Sequence, residues 1–251
     1  MMVNVLLNSI GSSGKSMIAR EILGANMPKA HMFEVETSNT GNQYYSEYFG
    51  SYRRIPAYKF LELNKELLLR GEVEDYIIDV SDKEVSEFVR EMRRYTGVHE
   101  SYHKLILPVV PTMKDILDTC KMLNTLICDI GVPASNVYVI FNRLEDGCDI
   151  EKKFALVYVL KESLGFHTSD NLSLLNKDVF FELEQKGLTS KALMESKEDY
   201  ARLSLEETDP VKANEYALLH LLCANVKGLY KKNKRIFDWV MASPEKIFDA
   251  S

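Results

Sequence analysis

The chain has 251 residues, 46% apolar and 27% charged, the proportions of a globular protein with enough apolar mass for a full core. Its 31 basic and 37 acidic residues leave a formal net charge of −6, which argues against a protein that binds nucleic acid over its whole surface and leaves room for one basic patch. No run approaches the ~18 consecutive apolar residues of a membrane span, and the first seven residues lack the basic flank and length of a signal peptide, so a soluble cytoplasmic protein is expected.

Taken in chain order, short β-rich runs alternate with stretches of helical spacing, the pattern of an α/β protein. A strand is expected at 3–7 and a helix at 15–23. A second strand at 31–36 precedes a helix at 59–70 that places Phe60, Leu61, Leu63, Leu67 and Leu68 on one side before Gly71. The apolar run 76–80 leads, behind Ser81 or Asp82 as N-cap, to a helix at 83–93 with Val85, Phe88, Val89 and Met92 on one face. A strand at 105–110 is followed by a helix at 113–130 behind Thr112, carrying Ile116, Leu117, Cys120, Leu123, Leu126 and Ile127 and stopping at Gly131. Beyond a strand at 137–141 the chain turns helical: 151–164, a short strand near 164–167, then 177–186 ending at Gly187, then 211–230. The expected architecture is a doubly wound, mainly parallel sheet flanked by helices, in a single domain over 1–251 with a helical addition from about 209. The four cysteines, Cys120, Cys128, Cys148 and Cys223, lack C-x-x-C spacing and fit a reducing compartment better than a zinc site.

The chemistry concentrates in Asn8-Ser9-Ile10-Gly11-Ser12-Ser13-Gly14-Lys15-Ser16, between the first strand and the first helix. A phosphate chain needs backbone N–H groups turned into a small concavity and the positive end of a helix behind it. Gly11, Ser12, Ser13 and Gly14 suit that loop, with Met17 opening the helix. Lys15 can then reach β/γ-phosphate oxygens and the Ser16 hydroxyl can ligate Mg²⁺. Ser9 stands where G-x-x-x-x-G-K-[ST] has its first glycine. The run Tyr76-Ile77-Ile78-Asp79-Val80 ends in the carboxylate expected to share that Mg²⁺ with Ser16.

With these residues in this order the chain resembles the ParA/MinD superfamily of deviant Walker ATPases, and more narrowly its StbB plasmid-stability and TraL conjugation-associated members. Gly11, Gly14, Lys15 and Ser16 match the family's K-G-G-x-G-K-[ST] loop, Ile10 replaces the lysine that crosses a nucleotide-sandwich dimer, and Ser12 replaces the second glycine. The resemblance implies a P-loop fold of the SIMIBI type and slow hydrolysis of ATP to ADP and phosphate with Mg²⁺. It places Glu34 and Glu36 where the family has two aspartates, Glu36 being the residue that orients water. It makes Asn142, followed by Arg143, the contact to adenine, and implies a base-covering segment at 174–179 with 187–189. It also implies a nucleotide-dependent homodimer, a protein partner such as a plasmid-encoded DNA-binding adaptor, and a role in plasmid partition, plasmid stability or conjugative transfer.

Alternatives stay open at this point. Asn142-Arg143-Leu144-Glu145 approximates the guanine-reading N-K-x-D, although Glu145 is one methylene longer than that motif's aspartate. The loop also suits a small-molecule kinase, an ATP-dependent ligase of the dethiobiotin-synthetase type, or a nucleotide-gated binding module with negligible turnover. Lys227, Lys231, Lys232, Lys234 and Arg235, ahead of Ile236, Phe237, Trp239, Val240 and Met241, form the one segment suited to direct contact with DNA or a membrane. Tyr44-Tyr45, Tyr48-Phe49 and Tyr52-Arg53-Arg54 make a second aromatic and basic cluster.

Overall fold

The computed structural model describes residues 2–8, 11, 13–37, 49–70, 74–145, 147–169, 172, 174 and 179–242. The strands are β1 (Val3–Leu6), β2 (His31–Val35), β3 (Ser51–Ile55), β4 (Tyr76–Val80), β5 (Lys104–Val109), β6 (Val137–Phe141) and β7 (His167–Thr168). They form one sheet in the order β3-β2-β4-β1-β5-β6-β7 with every adjacent pair parallel. Every residue of β1, β4, β5 and β6 is buried, because helices cover both faces, which is why these strands are unbroken apolar runs rather than alternating ones.

Helix α1 begins as an α-helical turn, Lys15–Met17, and widens into a π-helix over Ile18–Gly24. The others are α2 (Phe60–Arg70), α3 (Val85–Arg94), α4 (Met113–Asn124, continuing as a π-helix over Thr125–Ile130), α5 (Ile150–Lys153), α6 (Ala155–Leu164), α7 (Val179–Gln185), α8 (Ser190–Glu195), α9 (Tyr200–Glu206) and α10 (Pro210–Met241). One sheet face packs on α2, α3, α4 and α6 through Phe60, Phe88, Leu123 and Val157; the other packs on α1 and the last turns of α10 through Ile18, Ile22, Ile236 and Val240. A third cluster joins α7, α8 and α10 through Leu183, Leu193, Leu222 and Val226.

Most expected elements are present, and the differences have local causes. On α2, Phe60, Leu63 and Leu67 are buried, whereas Leu61 and Leu68 are exposed, since a 100° step per residue carries them off the stripe that faces the sheet. On α4, Ile116, Leu123 and Leu126 face the core, while Leu117 is largely exposed. Neither the Ser81 nor the Asp82 side chain caps α3: Glu84 is the N-cap, and the Ser81 carbonyl accepts the N–H groups of Glu84 and Val85 at 3.0 and 3.1 Å. Thr112 does cap α4, its Oγ1 accepting from Asp115 N, and Gly131 ends the helix at φ +86°.

The expected helix at 151–164 is broken at Phe154, which is turned into the core, and the short strand lies at His167–Thr168. Strand β3 was not expected: its Ser51 and Arg53 face outward, with Arg53 tied to Glu62 and Glu66 of α2, so its sequence reads as polar. Helix α10 does not stop near residue 230. Leu222, Val226, Leu229, Asn233, Ile236 and Val240 continue one buried stripe through the basic segment to Met241. Gly71 and 177–178 lie outside the described residues.

The two hydrophobic layers make a direct stability contrast. Phe88 is wholly buried and meets Phe60 edge-on at 5.1 Å, whereas Leu68 is 76% exposed on the neighbouring helix. Phe88→Ala should lower unfolding free energy by about 3–5 kcal/mol and Leu68→Ala by less than about 0.5 kcal/mol, read from urea unfolding midpoints.

Candidate functional site

After β1 the chain passes Asn8, turns at Gly11 and enters α1 at Lys15. Gly14 has φ +99°, a left-handed conformation that L side chains rarely adopt, and a Cβ there would lie 2.1 Å from Asn142 Nδ2. The close approach exists because Asn142, just beyond β6, donates to Ser13 O at 2.7 Å while its Oδ1 accepts from Arg143 N at 2.8 Å. Asn142 therefore ties the end of β6 to the loop through Nδ2, while its Oδ1 holds the backbone of its own neighbour Arg143. Arg143 is exposed and holds a left-handed φ of 55°. Gly11 lies against Asp82, whose Oδ2 would be 2.9 Å from a Cβ at that position. Met17 packs against both the α1 and the α7–α10 clusters. Ser12 lies outside the described residues, as do Ser9, Ile10, Tyr44, Tyr45, Tyr48 and 175–178.

Lys15 is buried, and its Nζ donates to Asn8 O at 3.0 Å. Burial pushes the ammonium pKa down, and Asp79, Asp82 and Asp115 pull it back up. Ser16 Oγ donates to Asp79 Oδ2 at 2.8 Å, which brings together the hydroxyl at the helix start and the carboxylate near the end of β4. Burial pushes the Asp79 carboxyl up to about 6 against the opposing pull of Lys15 and the Ser16 hydrogen bond, with Glu34 and Glu36 adding to the rise. Asp79 Oδ1, Ser13 Oγ and Ser81 Oγ are buried without a hydrogen-bond partner among the described residues. An unsatisfied carboxylate oxygen beside a serine hydroxyl is a hard-oxygen donor set, and it fits Mg²⁺.

Glu34 and Asp79 are register partners on β2 and β4, and Glu34 and Arg54 are partners on β2 and β3, all three on the face that carries α1. Glu34 is held by Arg54 Nε and Nη2 at 2.9 and 2.8 Å and by the Tyr52 hydroxyl. Burial together with Glu34 pushes that hydroxyl up to about 12. Glu36, just past β2, is half-buried; its Oε1 accepts from Thr37 N at 3.0 Å, and it reaches Asp79 through charge rather than contact.

No protein-family model matches this sequence, and no curated protein does either. Solved structures do. Cyanothece apo McdA superposes with a TM-score of 0.51 at 13% identity, over 75% of this chain and 91% of that one. The chain has the fold of a P-loop NTPase, a parallel sheet flanked by helices. The Aquifex aeolicus cell division protein MinD (TM-score 0.48, 15% identity, 91% of this chain and 97% of that one) and pNOB8 ParA bound to nonspecific DNA (0.49, 12%, 92% and 96%) are similar at a lower level of superposition. At these identities the likeness is one of fold.

Several residues around this P-loop were not singled out from sequence. From sequence, Arg54 is only one member of a basic and aromatic cluster, and Asp115 has no assigned role of its own. Arg20 and Glu21 form a buried pair at 3.0 Å on α1, with Glu21 Oε2 accepting from Ser190 N at 2.8 Å and Ser190 Oγ at 2.5 Å. Two adjacent charges inside an apolar helix were the available signal.

The raised Asp79 carboxyl has a defined consequence for stability. Its folded-state pKa lies above the ordinary carboxylate value, so its contribution is present below about pH 4 and is lost as pH rises through about 6. In nucleotide- and metal-free protein, Asp79→Asn should therefore raise unfolding free energy at pH 8 by about 1–3 kcal/mol, with the gain vanishing toward pH 4. Chemical denaturation at pH 4, 6 and 8 reads this directly, and an Asn variant less stable than the parent at pH 8 contradicts it.

Proposed function

We propose that this chain is a nucleotide-dependent switch ATPase of the ParA/MinD type, acting in the cytoplasm in plasmid stability, plasmid partition or conjugative transfer. The observation that carries this reading is the Ser16 Oγ to Asp79 Oδ2 contact at 2.8 Å beside buried Lys15, at the carboxyl ends of β1 and β4. In such a fold the loop amides and the start of α1 receive the phosphates, and Lys15 leaves Asn8 O to neutralise β/γ-phosphate oxygens. Ser16 and Asp79 would hold Mg²⁺, which would supply charge neutralisation to phosphate oxygens. Glu36 orients the attacking water. Turnover is slow, because Ile10 cannot provide the cross-dimer charge of the family's lysine, and a single such contact is worth on the order of 10²–10³ in rate.

The exposed face of α10 fits a polyanionic partner. Lys227, Lys231, Lys234 and Arg235 are exposed along one side, while Ile236 and Val240 are buried and Trp239 packs edge-on against Tyr138 at 5.1 Å. The apolar residues of that segment are thus used inside the fold, which favours a DNA backbone over a bilayer. An adaptor protein and a nucleotide-dependent second copy of the chain complete the proposed partners. A binding module with negligible turnover is the second reading, favoured by the engagement of Glu34 with Arg54 and Tyr52.

Lys15→Ala should weaken Mg·ATP binding by at least about tenfold in calorimetry without loss of cooperative unfolding. An unchanged affinity in the folded variant removes the proposal. ATP should displace a labelled ATP analogue better than GTP does, since Glu145 is too long for the guanine-reading place. Glu36→Gln should slow phosphate release while nucleotide stays bound; equal hydrolysis by variant and parent would hand the assignment to the binding module.

A further inference from the structure

Beside the P-loop, three buried elements meet through one carboxylate. Asp115 is fully buried in the first turn of α4, at the third residue after the N-cap Thr112. In a capping box that carboxylate would turn back to the Thr112 N–H. Here Thr112 N donates instead to Val110 O at 2.8 Å, and the Asp115 side chain turns inward. Its Oδ2 accepts from Val110 N at 2.5 Å, just beyond β5, and its Oδ1 accepts from Asn8 Nδ2 at 3.2 Å. Asn8 Nδ2 also donates to Pro108 O at 2.5 Å, and the Asn8 carbonyl is the group that Lys15 Nζ touches at 3.0 Å. A buried carboxylate is costly, and the start of α4 is already capped by the Thr112 hydroxyl, so helix initiation alone does not account for this one.

We propose that Asp115 is a positioning residue for the P-loop: through Asn8 it sets where the chain leaves β1, and so the point from which the Lys15 ammonium reaches a nucleotide's phosphates. The proposal rests on the nucleotide-binding reading of Lys15. The geometry has a chemical corollary. Asparagine at 115 would keep the shape but offer one carbonyl oxygen where two carboxylate oxygens are used, so either Val110 N or Asn8 Nδ2 would lose its acceptor. Misplacing a phosphate-binding group by about 1 Å can cost on the order of 10²-fold in function.

The test is a double-mutant cycle on the full chain, with Mg²⁺ and a non-hydrolysable ATP analogue titrated by calorimetry into the parent, Asp115→Asn, Lys15→Ala and the double variant. Asp115→Asn should weaken binding about tenfold in the parent background and less than about twofold in the Lys15→Ala background. A loss of the same factor in both backgrounds would make Asp115 merely structural and overturn the proposal. Parent-like affinity for Asp115→Asn would overturn it too, while leaving the role of Lys15 intact. If Lys15→Ala itself binds like the parent, the nucleotide-binding reading falls and this inference with it. Should Asp115→Asn fail to unfold cooperatively, Asn8→Ala, which removes the amide but keeps the carbonyl that Lys15 touches, carries the same cycle with the same expected outcomes.

Discussion

Holding one ammonium group inside the protein is the constraint on which the rest of this site depends. Lys15 is almost completely removed from water, and desolvation of that charge is offset by Asp79 and Asp82 from one segment of the chain and Asp115 from another. Only the sheet order brings them together. Strand β1 lies between β4 and β5, so the ends of both neighbours converge on the loop that follows β1: β4 delivers Asp79, and the turn after β5 delivers Asp115. The same neighbours set the Ser16 to Asp79 contact and the anchoring of Asn8 at Pro108.

Across β4, β2 and β3 the register places Asp79, Glu34 and Arg54 in a row on the α1 face. Two carboxylates side by side repel, and the row is stabilised because Arg54 and the Tyr52 hydroxyl answer the charge of Glu34. Asp79 then keeps one buried oxygen without a partner among the described residues. The arrangement gives the two acidic residues different surroundings. Glu34 is engaged by Arg54 and Tyr52, whereas Asp79 is engaged through Oδ2 by Ser16.

The C-terminal helices are tied to the helix that starts at Lys15 by polar groups inside an apolar interface. Glu21 accepts both the N–H and the hydroxyl of Ser190 on α8, Arg20 reaches Phe180 O on α7 at 3.4 Å, and Lys191 Nζ meets Ala25 O at 2.8 Å. Buried, satisfied polar contacts fix a packing geometry more narrowly than apolar contacts, which tolerate repacking. Lys227, Lys231, Lys234 and Arg235 lie exposed toward the end of α10, and its inward face continues the core beneath the sheet.

The amino-acid sequence alone determined the alternation of strands and helices, the glycine-bearing turn between β1 and α1, and the acid near the end of β4, because each depends on local pattern: apolar runs of strand length, glycines where the backbone must turn, and an acid at a strand end. Gly14 was legible for that reason, and its φ of +99° is the conformation such a loop demands. Tertiary structure decided what depends on neighbours distant in sequence. Edge strand β3 was hidden because one of its faces is polar and met by α2, and α10 ran past residue 230 because its buried stripe finds the sheet and α1 beneath it. Asn142, 129 residues from Ser13, could be known as a brace of the loop only once β6 stood beside β5 and turned its end toward Gly14. Asp115 had the spacing of a helix cap, yet its carboxylate found Asn8, 107 residues away, since a charge buried beside a strand end binds the nearest donor that packing supplies.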